Sequence, residues 1–263
     1  KKKKMLKRIR EIYEYRDMIF NLVRRELRGR YQKSVLGMLW TFLNPLCQII
    51  VYTFVFTVIF ENNMEKYYIY LTVGMIPWTF FSEALGQGAG SIVSNADMTK
   101  KIYFPREVLT IASVTAKLVN MLLSFVIVFL VLFISGVGVN PYVLLWLIPV
   151  IFAEYLVALG FTLFFASITV YLRDMEYIVG ELLMAWIWAT PIMYTLDGIS
   201  QPVKALLYLN PMTSIIAAFH DILYYKVAPS VSSIGVVLLV GIALVLLGEF
   251  VFARLEGNFA EEL

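Results

Sequence analysis

Apolar residues along this 263-residue chain gather into long runs parted by short polar loops. Crossing the hydrocarbon core of a bilayer takes roughly 20 apolar helical residues. Six runs are of that order: residues 35–60, 67–93, 108–134, 143–171, 178–196 and 231–252. The first holds no charge, and the others hold Glu83, Lys117, Glu154, Glu181 and Glu249 in turn. Between the fifth and sixth, residues 203–209 and 212–225 flank Asn210-Pro211. Each is too short to cross comfortably, so residues 199–226 are predicted to form a re-entrant helical hairpin dipping into one face. The pattern predicts an all-α membrane protein of six transmembrane helices, built as a single domain over residues 1–263 with no internal repeat.

Ahead of the first span a different periodicity appears. Leu6, Ile9, Tyr13, Phe20, Val23 and Leu27 recur at spacings of three and four, broken only at Arg16, with Arg8, Glu11, Arg24, Arg25 and Arg28 on other faces. That is one apolar stripe, and it predicts an amphipathic interfacial helix over residues 5–33. The helix either lies in a headgroup layer with its basic residues against anionic lipid or packs on a soluble partner.

Composition strengthens the membrane reading. The chain is 60% hydrophobic and 16% charged, whereas soluble domains run at about 45–50% and about 25%. The net charge of +3 is small, but thirteen Lys or Arg fall within residues 1–33 against four acids. Beside so much apolar sequence this block is a membrane flank rather than a nucleic-acid surface. No signal peptide is expected ahead of the first run, and Lys1 to Lys4 carry no functional weight. Placing both termini in the cytoplasm, and leaving those four lysines aside, puts fourteen cationic residues inside and three outside (Lys66, Lys204 and Lys226), as the positive-inside rule requires. Cys47 is the single cysteine, so no intrachain disulfide forms.

Catalytic signatures are missing. The chain has no Gly-x-x-x-x-Gly-Lys-Ser/Thr loop, no His-Glu-x-x-His, no Cys-x-x-Cys and no Gly-x-Ser-x-Gly, so phosphate-cradling, zinc-hydrolase and serine-hydrolase chemistry have no foothold. His220 is the one histidine and reads as an interfacial polar residue. Charges inside spans are costly, at least about 2.5–3.5 kcal/mol each at the centre. Lys117, Glu181 and Glu249 lie close enough to span ends to snorkel. Glu83 and Glu154 lie deeper, and two roles stand open for them: a water-filled pathway or proton site, or an interhelical hydrogen bond with the carboxyl neutral. Gly86 and Gly90 form a Gly-x-x-x-Gly suited to close helix approach, and Pro77 and Pro191 are expected to kink the second and fifth spans. Tyr52, Phe56 and Phe60 share one helix face with Asn44 and Gln48. That mixed stripe suits sugar rings, which stack on aromatics and take hydrogen bonds, better than it suits lipid.

Three segments carry a resemblance. Residues 28–40, reading RGRYQKSVLGMLW and followed by Asn44-Pro45-Leu46, resemble the approach to the first span in ABC-2 type permeases that export polysaccharides. Residues 95–106, reading NADMTKKIYFPR, are similar to that family's loop between the second and third spans. Arg173-Asp174-Met175-Glu176-Tyr177 with Thr190-Pro191-Ile192-Met193-Tyr194 looks like its fifth-span signature, and Asn258-Phe259-Ala260-Glu261 matches its C-terminus save that relatives often end that motif with Asp. The resemblance covers nearly the whole chain in one order.

What the resemblance implies is a homodimer paired with two copies of a separate ABC ATPase subunit, which would hold the ATP and Mg while this chain holds no cofactor. The substrate would be a lipid-linked polysaccharide, O-antigen-like or teichoic-acid-like, moved across the cytoplasmic membrane of a prokaryote. The ATPase-coupling loop would comprise Asp97, Met98, Thr99, Lys100, Lys101, Ile102, Tyr103, Phe104, Pro105 and Arg106, including a short coupling helix. A cytoplasmic gate would use Arg28, Arg30, Tyr31, Ser34 and Trp40. Asn44, Gln48, Tyr52, Phe56, Trp186 and Tyr194 are the candidate substrate channel. Two alternatives remain at this stage: an ABC-2 permease for drugs or simple lipids, and a membrane-embedded enzyme of glycan assembly.

Overall fold

The computed structural model describes residues 8, 10–29, 36–61 and 64–263, and among these every regular element is helical. The gate positions Arg30, Tyr31 and Ser34 lie outside the described residues.

The first helix, α1 (Arg16–Gly29), is amphipathic as predicted, and its buried face matches the expected stripe in part. Tyr15 interrupts the helical run that precedes it. Val23 and Leu27 face inward as expected, joined by Leu22, Tyr15, Met18 and Ile19, while Tyr13 and Phe20 point away and are exposed.

Next come α2 (Trp40–Phe54), prolonged by a π-helical turn over Val55–Ile59, and α3 (Tyr67–Gly88). A short helix, α4 (Ala96–Lys101), lies in the following loop. The long α5 (Glu107–Ile134) leads through a one-turn segment to α6 (Leu147–Thr169). Asn140 opens that segment, its side chain accepting from the Tyr142 amide at 3.2 Å with Pro141 at the first helical position.

The fifth apolar run departs from expectation. Helix α7 (Met175–Trp186) has 12 residues, and residues 187–194 form successive turns instead of continuing the span. Pro191 has no amide hydrogen and disfavours helix at the residue before it. The carbonyl left free at Ala189 is taken by Asn210 Nδ2 at 3.2 Å, which also donates to Thr190 Oγ1 at 2.9 Å. Proline here ends a helix where a kink was expected.

Helices α8 (Gln201–Leu207) and α9 (Pro211–His220) follow, and with the turn to Tyr225 they form a pair bent by 99°. Asn210 caps α9 by accepting from the Met212 amide at 3.0 Å, using the same Asn-Pro device as Asn140-Pro141. The chain closes with α10 (Val231–Leu255) and a final turn, α11 (Phe259–Glu262).

Among the described residues, four helices are long and apolar enough to cross a membrane: Trp40–Ile59, Glu107–Ile134, Pro141–Thr169 and Val231–Asn258. The bent pair makes a fifth if it counts as one span. Helix α3 is buried along most of its length and forms the centre, touching α2, α5, α6, α7 and α9. On one flank α6 and α10 run together at very short range. A Cβ on Gly160 would fall 2.6 Å from the Leu244 carbonyl carbon, and one on Gly248 would fall 2.6 Å from the Gly160 carbonyl oxygen. Glycine is required there because the backbones themselves touch.

His220 is no interfacial residue. It is buried, its ring stacked on Tyr70 with centroids 3.6 Å apart and its Nε2 3.0 Å from the Tyr70 carbonyl oxygen. Together with Tyr67 Oη donating to the Met193 carbonyl at 2.8 Å, this contact fastens the bent pair and the broken fifth run to α3.

Candidate functional site

At one end of the bundle, α1, α4, the start of α5 and the end of α10 meet. Phe104 joins Leu22, Val23, Val108, Leu109, Ala112 and Ala116 in a second apolar cluster, so α1 is seated on the first turns of α5 by its own chain. Arg8 reaches the same end. Its guanidinium pairs with Glu107 and Glu256 and lies 2.8 Å from Glu249 Oε1. Burial pulls its pKa down, but hydrogen bonding to Glu256 and the charges of Glu107 and Glu256 outweigh that and raise it. Arg106 donates to the Glu256 carbonyl and lies over the Phe259 ring, 5.7 Å from its centroid. Phe259 in turn packs on Phe252 and Tyr171. First helix, loop and C-terminal turn are thereby tied into one unit.

The segment 97–106 divides by exposure. Asp97, Lys100, Lys101 and Ile102 face outward, and Tyr103 is 87% exposed. Thr99 turns inward to bond the Asn95 carbonyl at 3.1 Å, Met98 packs against the second cluster, and Pro105 is buried. Phe104 is 4% exposed, so its ring is core and offers a partner nothing. Between this loop and Ala253, Glu256 and Gly257 lies an open groove of about 560 Å³. Neighbouring aromatics separate in this way because an extended segment alternates faces, which adjacency in sequence does not reveal.

Deeper in the bundle, α2, α3 and α5 enclose a recess of about 130 Å³. Trp40, Asn44 and Gln48 line it from α2, Thr79 and Glu83 from α3, and Lys117, Asn120 and Ser124 from α5. Lys117 does not snorkel. It is 3% exposed, with Nζ 2.8 Å from Glu26 Oε1 of α1 and donating to Gln87 Oε1 at 2.6 Å. A second hollow, bounded by Arg25, Glu26, Gln87, Asn95 and Ser113, lies beyond that pair.

The recess gathers Asn44, Gln48 and Trp40 but none of the four other channel candidates. Tyr52 and Phe56 are half-buried against the main core, and Phe56 meets Tyr67 with ring centroids 5.9 Å apart. Trp186 stands edge-on to Phe81 and Phe161 at 5.3 and 5.5 Å. Tyr194 donates to the Trp188 carbonyl at 3.0 Å. Arg28 is exposed at the end of α1. Sequence reading missed Asn120, Ser124 and Thr79. The signal available was a row of polar residues three and four apart on one helix face, Lys117, Asn120 and Ser124, inside a run otherwise apolar. Glu154 is fully buried, and neither carboxyl oxygen has a hydrogen-bond partner among the described residues, so the interhelical bond considered for it is not formed.

Comparison with known proteins adds to this geometry. Residues 18–224 match the family described as ABC-2 type transporter. The chain is 33% identical to the O-antigen export system permease protein RfbA of Myxococcus xanthus, over 98% of this chain and 100% of that protein. A Klebsiella pneumoniae protein of the same name is 28% identical over 94% and 95% of the two chains. The polysialic acid transport protein KpsM of Escherichia coli is 24% identical over 73% and 75%.

Proposed function

The chain belongs to the ABC-2 type transporter family, and we propose that it is the permease subunit of an exporter carrying lipid-linked polysaccharide out of the cytoplasm. The observation that carries this reading is the end-to-end match to a protein named as an O-antigen export permease. ATP, with Mg, would be bound and hydrolysed by a separate ABC ATPase subunit, and this chain would do no covalent chemistry.

Six crossings fit this role: α2, α3, α5, α6, α7 with the turns after it, and α10. Helix α3 is screened by protein on nearly every side, which lets it carry more polar residues than a lipid-facing helix tolerates. The bent pair α8–α9 would be a re-entrant cap on the outer face. The end holding Arg8, α4 and α11 would face the cytoplasm, in keeping with the charge bias, and α1 would lie at that membrane boundary with Phe20 and Tyr13 turned to lipid. The protein would reside in the cytoplasmic membrane of a prokaryote.

Among the apolar faces that a single protomer leaves exposed are those of α2 and α7. Ile50, Val51, Phe54 and Val58 on α2, and Tyr177, Leu182 and Met184 on α7, are all exposed. A homodimer that brings these faces around a common path would cover them. Lys100, Lys101, Ile102 and Tyr103 would dock on the ATPase, one ATPase per protomer. ATP binding would favour the state in which both ATPases close together, and the tie between loop, α1 and C-terminus would pass that bias into the membrane.

The test is co-expression with its ATPase, purification in mild detergent, and measurement of stoichiometry and ATP hydrolysis. A two-plus-two complex whose hydrolysis rises with extracted lipid-linked polysaccharide is the expected result. A chain that purifies alone and never retains an ATPase removes the reading.

A further inference from the structure

Neighbouring residues on α1 reach in two directions. Arg25 donates to the Asn95 side chain at the start of α4. Asn95 in turn donates to the Ser91 carbonyl at 2.8 Å, and its own carbonyl accepts from Thr99 Oγ1 at 3.1 Å. Glu26 instead meets α5: its Oε1 lies 2.8 Å from Lys117 Nζ and accepts from Ser113 Oγ at 3.3 Å. Lys117 also donates to Gln87 Oε1 of α3 at 2.6 Å. The lysine is 3% exposed, whereas the Glu26 side chain is 32% exposed. One turn of α1 therefore joins α4, the long α5 and the end of α3.

Lys117 stands about 15 Å along α5 from Glu107, at a rise of 1.5 Å per residue. The apolar cluster around Phe104 already seats α1 lower on that helix, against Val108, Leu109 and Ala112, so adhesion does not call for a charge. A buried ion pair is often no more stabilising than apolar residues of the same volume. What it adds is register. Apolar faces slide over one another at little cost, because their attraction has no direction. Separating a buried pair costs about 3–5 kcal/mol, less here because Glu26 touches water, and still enough to oppose sliding.

We propose that Lys117 is a positioning residue of the transport cycle: by holding Glu26 it locks α1 in one register on α5 and α3, so that displacement of α4 reaches the membrane helices instead of being lost in sliding of α1. This rests on the export reading, in which the ATPase acts on the loop 97–106, and it names the link that carries that action inward.

The test uses the permease–ATPase complex reconstituted in liposomes, with polysaccharide delivered per ATP hydrolysed as the readout. Lys117→Met removes the link but keeps a long unbranched side chain, and Glu26 stays hydrated at the edge it already occupies. Export per ATP is expected to fall about fivefold or more, the lower end of ordinary coupling between linked sites, with the ATPase still bound. Exchanging the charges, Glu26→Lys with Lys117→Glu, rebuilds the link, Gln87 now offering its amide NH2, and is expected to restore most of the loss. A merely structural pair would change thermal stability and leave export per ATP alone. A second readout needs no substrate. With Cys47→Ala and spin labels on Asn21→Cys and Leu122→Cys, both at exposed positions, the label separation should be the same with and without ATP in the otherwise unmodified chain. In Lys117→Met it should change with ATP. Unaltered export per ATP in Lys117→Met overturns the assignment, as does a separation that changes with ATP while Lys117 is present. If Lys117→Met does not assemble, Glu26→Leu with Lys117→Met, which leaves neither charge behind, takes its place. Failure of both to assemble also overturns the assignment, because the pair is then needed to build the fold rather than to carry motion. An unmodified complex that hydrolyses ATP but exports no polysaccharide removes the export reading, while the label separation still decides the role of Lys117.

Discussion

Single residues in this bundle differ sharply in what their surroundings permit. Gly248 and Gly90 are both in close contact, yet their neighbours differ in kind. A methyl on Gly248 meets the Gly160 carbonyl oxygen and the Leu163 Cβ, neither of which can swing aside. A methyl on Gly90 meets the carboxyl end of Glu176, an exposed and flexible side chain. Gly248→Ala is therefore expected to destabilise by about 1–3 kcal/mol through forced separation of α6 and α10, seen as a lower temperature of aggregation in detergent. Gly90→Ala should leave that temperature within a degree or two, on the order of the scatter for distant surface changes. Glu154 gives an opposite expectation. Its carboxyl is buried without a partner, so Glu154→Met should hold or raise the aggregation temperature, since an apolar group of similar shape removes an unmet desolvation penalty. A marked drop would mean that the carboxyl finds a partner in the assembled transporter.

At the scale of elements, the loop 97–106 turns two adjacent rings to opposite sides, Tyr103 outward and Phe104 into the core. Tyr103→Asp should weaken retention of the ATPase on an affinity column while the permease keeps its elution volume and thermal behaviour. Phe104→Asp should lower thermal stability by about 3 kcal/mol or more, because it places a charge in the cluster that seats α1. Equal behaviour of the two variants would refute this division. Long apolar runs such as 108–134 and 231–252 were plain in the sequence because lipid demands length and an absence of charge, and both properties are local. What stayed hidden was relational. Pro191 announced a disturbance, yet whether it bends or ends a helix depends on Asn210, nineteen positions away, being there to take up freed groups. The α1 stripe held at Val23 and Leu27 but not at Phe20, because the buried face is set by α5, against which Ile19 and Leu22 turn instead. His220 looked peripheral because its partner Tyr70 is 150 residues distant. Asn44 and Gln48 were legible as odd residues for a lipid-facing helix, whereas the α3 and α5 groups that complete their recess come from separate segments that only folding unites.

Seen whole, the protomer has a well-packed centre around α3 and exposed apolar flanks, those of α2 and α10 among them. What each flank faces can be probed with charge. Val51 on α2 and Leu239 on α10 are exposed to similar degrees, 57% and 68%. If the α2 flank borders an aqueous path and α10 borders lipid, Val51→Lys should be inserted and assembled normally. Leu239→Lys should then reduce membrane-inserted chain, a lysine near mid-bilayer costing at least about 2.5 kcal/mol. Insertion measured by carbonate extraction distinguishes them, and equal loss from both would place α2 against lipid. The tie at the other end of the molecule bears on how the chain is made. Arg8 leaves the ribosome long before Glu249 and Glu256, two of its three carboxylate partners. Until they are made, Glu107 is the only one of the three available to Arg8, and the segment ahead of α1 can settle fully only after α10 has been threaded into the bilayer. The segment around Arg8 is thus made early and fastened late, and a nascent chain halted before Glu249 would present it unfastened to the cell's quality-control proteases.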